Sequence, residues 1–211
     1  MKIHVMTAGM VQTNAYLLTA PELGEAVLID APQGVWSEVE EILKEEKCVL
    51  KELWLTHGHF DHIQGVAEIV AATGVKVFAY EADRQMMAEP EVVEARLGFP
   101  LGLKPVYPDG WFMVGEKRKA AGVEAEVRHV PGHCPGNVLF YFEGEGVAFV
   151  GDAIFAGSVG RTDFEGGSFP VLERSIRERI YTLPDSTVLL SGHGPKTTVA
   201  AERRSNPYVR E

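Results

Sequence analysis

Cysteine is scarce in this chain: 211 residues hold two, Cys48 and Cys134, and they are not spaced as a Cys-x-x-Cys pair. Two such thiols cannot build a disulfide framework or a closed metal site made of thiolates alone, and they fit a reducing compartment. Long apolar runs are lacking as well. None approaches the roughly 18 residues that span a bilayer, and the opening MKIHVMTAGM has no extended apolar core of the kind a secretory signal carries. These absences predict a cytoplasmic protein with no membrane partner. Basic charge is short too: 20 Lys and Arg stand against 30 Asp and Glu, a net charge of -10, with no basic stripe interleaved with aromatics. A phosphate backbone would be repelled, so nucleic acid is excluded as a partner and a small molecule is expected instead. Asparagine and glutamine number three and four, a balance shared with heat-adapted proteins.

With 45% hydrophobic residues, the chain can bury a core as one domain over residues 1–211. The runs IHVM, NAYLLT and AVLID, separated by turn residues, read as strands of an antiparallel sheet. Residues 35–47 then place Val35, Val39, Ile42 and Leu43 on one helical face, and ELWLT follows as a buried strand. Residues 63–72 read as a helix with Ile63, Val66, Ile69 and Val70 inward, and VKVFAY as the next strand, which completes a βαβ unit. The stretch 84–122 is irregular in Gly, Pro and Met, either a lid or binding segment or a tolerated insertion. Beyond 123 come the strands VEAEVRHV, VLFYF and GVAFVG, a helix at 170–181 and a last strand, TVLLSG. Two β-rich halves with helices outside suggest two sheets covered by helices.

Of the seven histidines, five lie in three short motifs at strand ends: His57, His59 and His62 in THGHFDH, His133 in PGHCPG, and His193 in GHGP. Asp152 ends the strand motif VGD. The plainest reading of THGHFDH is a polar loop in which Asp61 caps the next helix, but that leaves three histidines unexplained. Imidazole and carboxylate oxygen together suit zinc, iron or manganese. Histidines at alternate positions of an extended loop share a face, whereas Asp61 and His62 begin a helix and point elsewhere. The loop thus supplies two ligands for each of two metals. His133 and His193 complete one site each, and Asp152 can bridge them.

The motifs HxHxDH, GHCPG, GD and GHGP, in this order, resemble the metallo-β-lactamase superfamily over nearly the whole chain. Within it the chain is most similar to the glyoxalase II group of hydroxyacylglutathione hydrolases. Short members of that group share SVGRTDF (158–164), the GHGPxTT ending and NP near the C-terminus. The resemblance implies an α+β fold, a four-layer αβ/βα sandwich with two divalent metal ions at the sheet edges, zinc first and iron or manganese as substitutes. It implies a first site of His57, His59 and His133 and a second of Asp61, His62 and His193, with Asp152 bridging. Asp61 and Asp152 would then flank the reacting centre, where a metal-bridging hydroxide cleaves a thioester such as S-lactoylglutathione. Asp30, ending AVLID, either orients a ligand imidazole or supports a turn. Cys134 reads as a small buried residue or a thiol at the site, His129 as structural or solvent-facing, and Asn14 as a turn or loop stabiliser. Arg161 and Asp163 read as an ion pair holding a loop, with substrate contact by Arg161 the other use. Full-length glyoxalase II grips glutathione with a C-terminal helical domain, while only 18 residues follow His193 (211 minus 193). Substrate groups are therefore expected to meet the 84–122 segment, Arg161 or Lys196. The competing reading is a mononuclear-iron persulfide dioxygenase of the same superfamily, which shares GRTDF but lacks the GHGP form of the last motif. A non-catalytic binding module would have lost ligands, and all seven are present.

Overall fold

The computed structural model describes residues 1–98 and 100–210. They divide into two compact units, Met1–Phe112 with Lys119–Val123, and Met113–Arg118 with Glu124 onward. In the first, strands β1 (Lys2–Ala8), β2 (Thr13–Ala20), β3 (Glu25–Ile29), β4 (Val49–Trp54), β5 (Lys76–Ala79) and β6 (Gly110–Trp111) form a sheet in sequential order. The first three pair antiparallel, as the short turns between them require, and β3 to β6 pair parallel. Parallel neighbours need crossovers. Helix α1 (Trp36–Glu46) makes the first, burying Val39 and Leu43 while Ile42 packs against the same core. It stops at Lys47, whose left-handed φ of 55° turns its N–H back onto the carbonyls of Leu43 and Lys44.

Helices α2 (Phe60–Ile63) and α3 (Val66–Thr73) make the second crossover. Val70 comes out exposed, against the sequence expectation: α3 is only two turns long, its inward stripe holds Val66 and Ile69, and Val70 falls at the stripe's edge. The 84–122 segment also differs from its irregular composition, because it contains α4 (Arg84–Ala88) and α5 (Pro90–Leu97). Pro90 starts α5 and Gly98, at φ 80°, ends it, so helix-breaking residues here mark boundaries. The loop beyond α5 is tied down by Glu94, which accepts the N–H groups of Leu101 and Leu103 at 2.9 Å each. Those backbone bonds hold the Glu94 carboxyl below its ordinary range, the bond from Leu103 contributing most.

The second sheet contains β7 (Lys117–Ala120), β8 (Val123–His129), β9 (Val138–Phe142), β10 (Val147–Gly151), β13 (Val188–Ser191) and β14 (Thr197–Thr198), in the order β14-β13-β10-β9-β8-β7. A small hairpin of β11 (Ile154–Phe155) and β12 (Ser158–Val159) lies between β10 and β13 in sequence. β10 and β13 are parallel neighbours; β8, β9 and β10 pair antiparallel. The expected 170–181 helix is α6 (Phe169–Ser175) continued by a π turn over Ile176–Ile180. Helix α7 (Val199–Ser205), capped by the Thr198 hydroxyl accepting from Ala201 N–H, was not foreseen from the sequence. Leu172, Ile176, Ile180, Leu189 and Val199 form the core of this unit. A Cβ at Gly132, where φ is 126°, would sit 2.3 Å from the Leu172 nitrogen, so that turn accepts only glycine.

Candidate metal centre

In the first unit the site grows from the carboxyl ends of two adjacent parallel strands, β3 and β4. Asp30 follows β3, and its N–H donates to the Trp54 carbonyl at the end of β4 at 2.9 Å. Asp30 is buried and holds a left-handed φ of 60°, a conformation that non-glycine residues rarely adopt. The turn aims its carboxylate at three donors: Thr56 N–H on Oδ1, and Thr56 Oγ1–H and His62 Nδ1–H on Oδ2, all at 2.8 Å. Asp30 thus contacts the ring of His62 as well as shaping the turn. Thr56 Oγ1 also lies 3.0 Å from His57 Nδ1. Its single hydrogen goes to the carboxylate, so the imidazole must be the donor in the second contact. Both His57 and His62 are therefore Nδ1–H tautomers, with the lone pair on Nε2 where a metal would bind.

Between His57 and His59 the chain is pinned at Gly58, whose N–H donates to Asp83 Oδ2 at 2.8 Å. A Cβ there would meet Asp83 Cβ at 2.9 Å and Met87 Cγ at 3.0 Å, so only glycine lets the loop lie this close. The rings of His57 and His59 stand edge to face with centroids 4.8 Å apart, and those of His57 and His62 are 4.0 Å apart. Donor atoms in the pairs His57/His59, His57/His62 and Asp61/His62 lie within 4.8 Å of one another. Asp61 does not cap α2, whose N-cap residue is His59 with no side-chain cap bond. Its Oδ2 accepts from Thr13 Oγ1–H at 2.7 Å and sits 3.4 Å from His62 Nε2.

The second unit repeats the strand logic. Asp152 follows β10 and His193 follows β13, its parallel neighbour, and Gly192 N–H donates to the Gly151 carbonyl at 2.9 Å. Asp152 N–H donates to Oδ1 of the buried Asn137 at 3.1 Å, while Asn137 Nδ2 donates to the Val150 carbonyl at 3.2 Å. His133 Nδ1–H donates to the Arg161 carbonyl at 2.8 Å, which again puts the lone pair on Nε2. From Asp152 Oδ2, His133 Nε2 is 3.6 Å away and His193 Nε2 3.4 Å. Gly160 lies against all of this: a Cβ there would be 1.9 Å from the Asp152 carbonyl oxygen and 3.0 Å from His133 Nδ1. His193, with 26% of its side chain exposed, has the Phe155 ring edge-on at 5.9 Å.

Separations of 3.4 to 3.6 Å are long for hydrogen bonds. They are the spacing expected of two ligands on one small cation: at metal–ligand distances near 2.0–2.1 Å, tetrahedral neighbours stand about 3.3–3.4 Å apart. The donor set of imidazole nitrogen and carboxylate oxygen, without thiolate, thus fits divalent metal ions. Among the remaining candidates, Arg161 contributes its carbonyl to the site. Its guanidinium makes two bonds of 2.7 Å to Asp163 and lies 3.7 Å from the Phe164 ring centroid. Lys196 is exposed. Cys134 is buried, and His129 Nε2–H donates to the Pro135 carbonyl at 2.7 Å, bracing the His133 loop. Asn14 lies within β2 rather than a turn and accepts from Thr7 Oγ1–H on β1. Thr13, Thr56, Asp83, Asn137 and Gly160 were not singled out from the sequence. Thr56 lies inside THGHFDH, Gly160 inside SVGRTDF and Asn137 directly after PGHCPG, whereas nothing local marks Asp83.

Strand ends that present Nε2 imidazoles and carboxylates define a metal-binding centre. The sequence profile described as "Metallo-beta-lactamase superfamily" matches residues 8–193, and the chain belongs to that superfamily. It is 34% identical to "Hydroxyacylglutathione hydrolase GloC" of Haemophilus influenzae, over 99% of this chain and 98% of that protein. The BLEG-1 B3 metallo-beta-lactamase superposes with a TM-score of 0.91 at 33% identity, covering both chains fully. TTHA1623, solved in a di-iron-bound form, superposes at 0.86 and 33% identity over 98% of this chain and all of its own. The α+β metallo-β-lactamase fold follows. Among the described residues no helix is long and apolar enough to cross a membrane.

Proposed function

We propose that the chain is a binuclear metallohydrolase that cleaves thioesters such as S-lactoylglutathione, acts in the cytoplasm, and uses residues 1–211 as one functional domain. In this reading His57, His59 and His133 hold one divalent ion, Asp61, His62 and His193 the other, and Asp152 is shared. The observation that carries it is the placement of Asp152 Oδ2 3.6 and 3.4 Å from the Nε2 atoms of two histidines assigned to different ions. Similarity to the hydroxyacylglutathione hydrolase along the full length of both chains supports the substrate class.

The two ions, when bound, supply a hydroxide at neutral pH and polarise the acyl carbonyl, which removes the need for a serine or cysteine nucleophile. The chain's own residues position and orient. Asp30 and Thr56 fix the tautomers of His62 and His57, the Arg161 carbonyl fixes that of His133, and Thr13 holds Asp61 through its hydroxyl. A thiolate leaves without a proton donor because thiols are comparatively acidic. Lys196, exposed three residues after His193, and Arg161, once it gives up Asp163, are the cations offered to an anionic thiol carrier.

The second reading, a mononuclear-iron persulfide dioxygenase, needs the first set of histidines and Asp152 but not His193. The short His193–Asp152 separation favours the hydrolase. We expect wild-type protein to cleave S-lactoylglutathione, to take up no oxygen with glutathione persulfide and to leave β-lactams intact, and His193→Ala to lose thioester cleavage. Oxygen uptake with persulfide that persists in His193→Ala would sink this proposal; β-lactam turnover without thioester cleavage would replace its substrate.

A further inference from the structure

Glu202, on α7, is a buried carboxylate, 3% exposed, that the proposed reaction does not use. An isolated carboxylate is costly to bury, and this one collects three donors. Thr197 Oγ1–H reaches Oε1 at 2.6 Å, and Gly157 N–H and Asn206 Nδ2–H reach Oε2 at 3.0 and 2.8 Å. Asn206, itself buried, also donates to the Ser158 carbonyl at 2.9 Å and accepts from Tyr208 N–H and Val209 N–H. Both segments held this way lead to the metal centre. Thr197 begins β14 four residues after His193 and pairs with Leu189 of β13. Gly157 lies in the tip of the β11–β12 hairpin and Ser158 begins its outgoing strand. Phe155 of that hairpin faces the His193 ring, and its outgoing strand runs through Gly160 to the Arg161 carbonyl behind His133.

We infer that Glu202 is a positioning residue for the metal ligands of the second unit. It clamps the hairpin tip to β14, so that His193 and the carbonyl backing His133 keep a fixed separation. This gives a physical reason for the threonine after GHGP and for the asparagine of the NP pair: Thr197 and Asn206 are the donors the carboxylate needs. The group must be an acceptor on both oxygens. Glutamine would turn an N–H toward Thr197 Oγ1–H or toward Gly157 N–H and Asn206 Nδ2–H. The inference rests on the binuclear reading for its metal readout, so a second readout independent of metal is paired with it.

Glu202→Gln and the milder Thr197→Val, which deletes one of the three donors, would be compared with wild type by chelator competition and, metal-free, by NMR of the histidine rings. The expected result for Glu202→Gln is both ions bound ~10-fold more weakly, because His133 and His193 belong to different ions; this is the lower end for losing a partner outside the ligand shell. Thr197→Val should show a smaller loss at the same ions. The ring signals of His193 and His133 should move while those of His57 and His62 hold. Arg203→Ala, on the same helix but bonded to Asp185, should change neither readout. Wild-type affinities with unmoved His193 and His133 signals in both variants would overturn the inference, as would ring signals of His57 and His62 that shift as far as those of His193 and His133. If Glu202→Gln does not fold, Thr197→Val decides alone. Should wild type itself hold fewer than two ions, the binuclear reading falls, and the ring signals still decide the positioning role.

Discussion

His62 in the first unit and His133 in the second both donate from Nδ1 at 2.8 Å, one to the Asp30 carboxylate and the other to the Arg161 carbonyl. The distances match, but the partners differ in kind. A carboxylate raises the basicity of the imidazole it backs and orients it; a carbonyl chiefly orients. The first unit fixes its histidines with side chains: Asp30, Thr56, Asp83 and Thr13 each hold part of the HxHxDH loop. The second backs His133 with main chain and close packing, through the Arg161 carbonyl, Gly160 against Asp152 and Gly132 against Leu172, while its side chains hold backbone further out, Asn137 at Asp152 N–H and Glu202 at Gly157 N–H. Substitutions at these contacts should therefore fail in different ways, the side chains of the first unit by losing metal affinity in a stable fold and the packed glycines of the second by losing the fold around the ligands.

The largest effect is expected where the comparison collapses. In the proposed assignment Asp152 is shared by both ions, so Asp152→Ala should take the protein from close to two metals per chain to close to none. Elemental analysis finding a full complement in the variant would end the bridging assignment.

Gly160→Ala should strike the second unit. Its Cβ would meet the Asp152 carbonyl oxygen at 1.9 Å and His133 Nδ1 at 3.0 Å, and a backbone carbonyl cannot swing aside as the end of a flexible side chain can. We expect a loss of about 3 kcal/mol, the upper end of ordinary overpacking, read as a fall of roughly 6–12 °C in Tm for a chain of this size. Gly144→Ala, where a Cβ meets nothing within 4 Å, is the control that should leave Tm unchanged. Equal Tm values for the two variants would remove packing from the account.

Asp30→Asn tests the first unit. The amide keeps one acceptor but turns an N–H toward the donors of Thr56 or His62, so the fold should persist while metal affinity falls by roughly 10- to 100-fold. Chelator competition giving the wild-type affinity would reduce Asp30 to a turn residue and erase the contrast between the units.

The candidate metal donors were legible because chemistry concentrates them: THGHFDH alone carries four of the seven, and the others sit in Gly-flanked strand ends that a sequence displays openly. What backs them was not legible, because it is assembled across the fold. Asp30 meets Thr56 only because adjacent parallel strands end together and Asp30 turns left-handed; Asp83 reaches Gly58 from 25 residues on. Gly160 stands inside SVGRTDF, but that a side chain there would run into Asp152 shows only in the fold. In the fold, the antiparallel start, the βαβ unit and the strand runs after 123 were readable from periodicity. The helices within 84–98 were hidden by Pro and Gly acting as caps, and α7 by being only seven residues long.

The smallest effect belongs to a charge pair in the second unit that is exposed where the Asp30–His62 contact is buried. The side-chain bonds from Arg161 hold the Asp163 carboxyl down at about 2, against an ordinary value of 3.8. A folded-state value below the unfolded one means that the pair's contribution is fully present above roughly pH 4–5 and fades as the pH falls from there toward 2. Its size is small because both side chains face water, where ion pairs are screened. Asp163→Asn should therefore unfold slightly more easily than wild type at pH 7, with the difference closing between pH 4 and 2. The same variant sharpens the question of substrate contact. It releases the Arg161 guanidinium while leaving the carbonyl that backs His133 in place, so if Arg161 meets an anionic thiol carrier, KM for the thioester should fall with kcat unchanged. A KM equal to wild type would confine Arg161 to its carbonyl and leave Lys196 as the cation offered to the substrate.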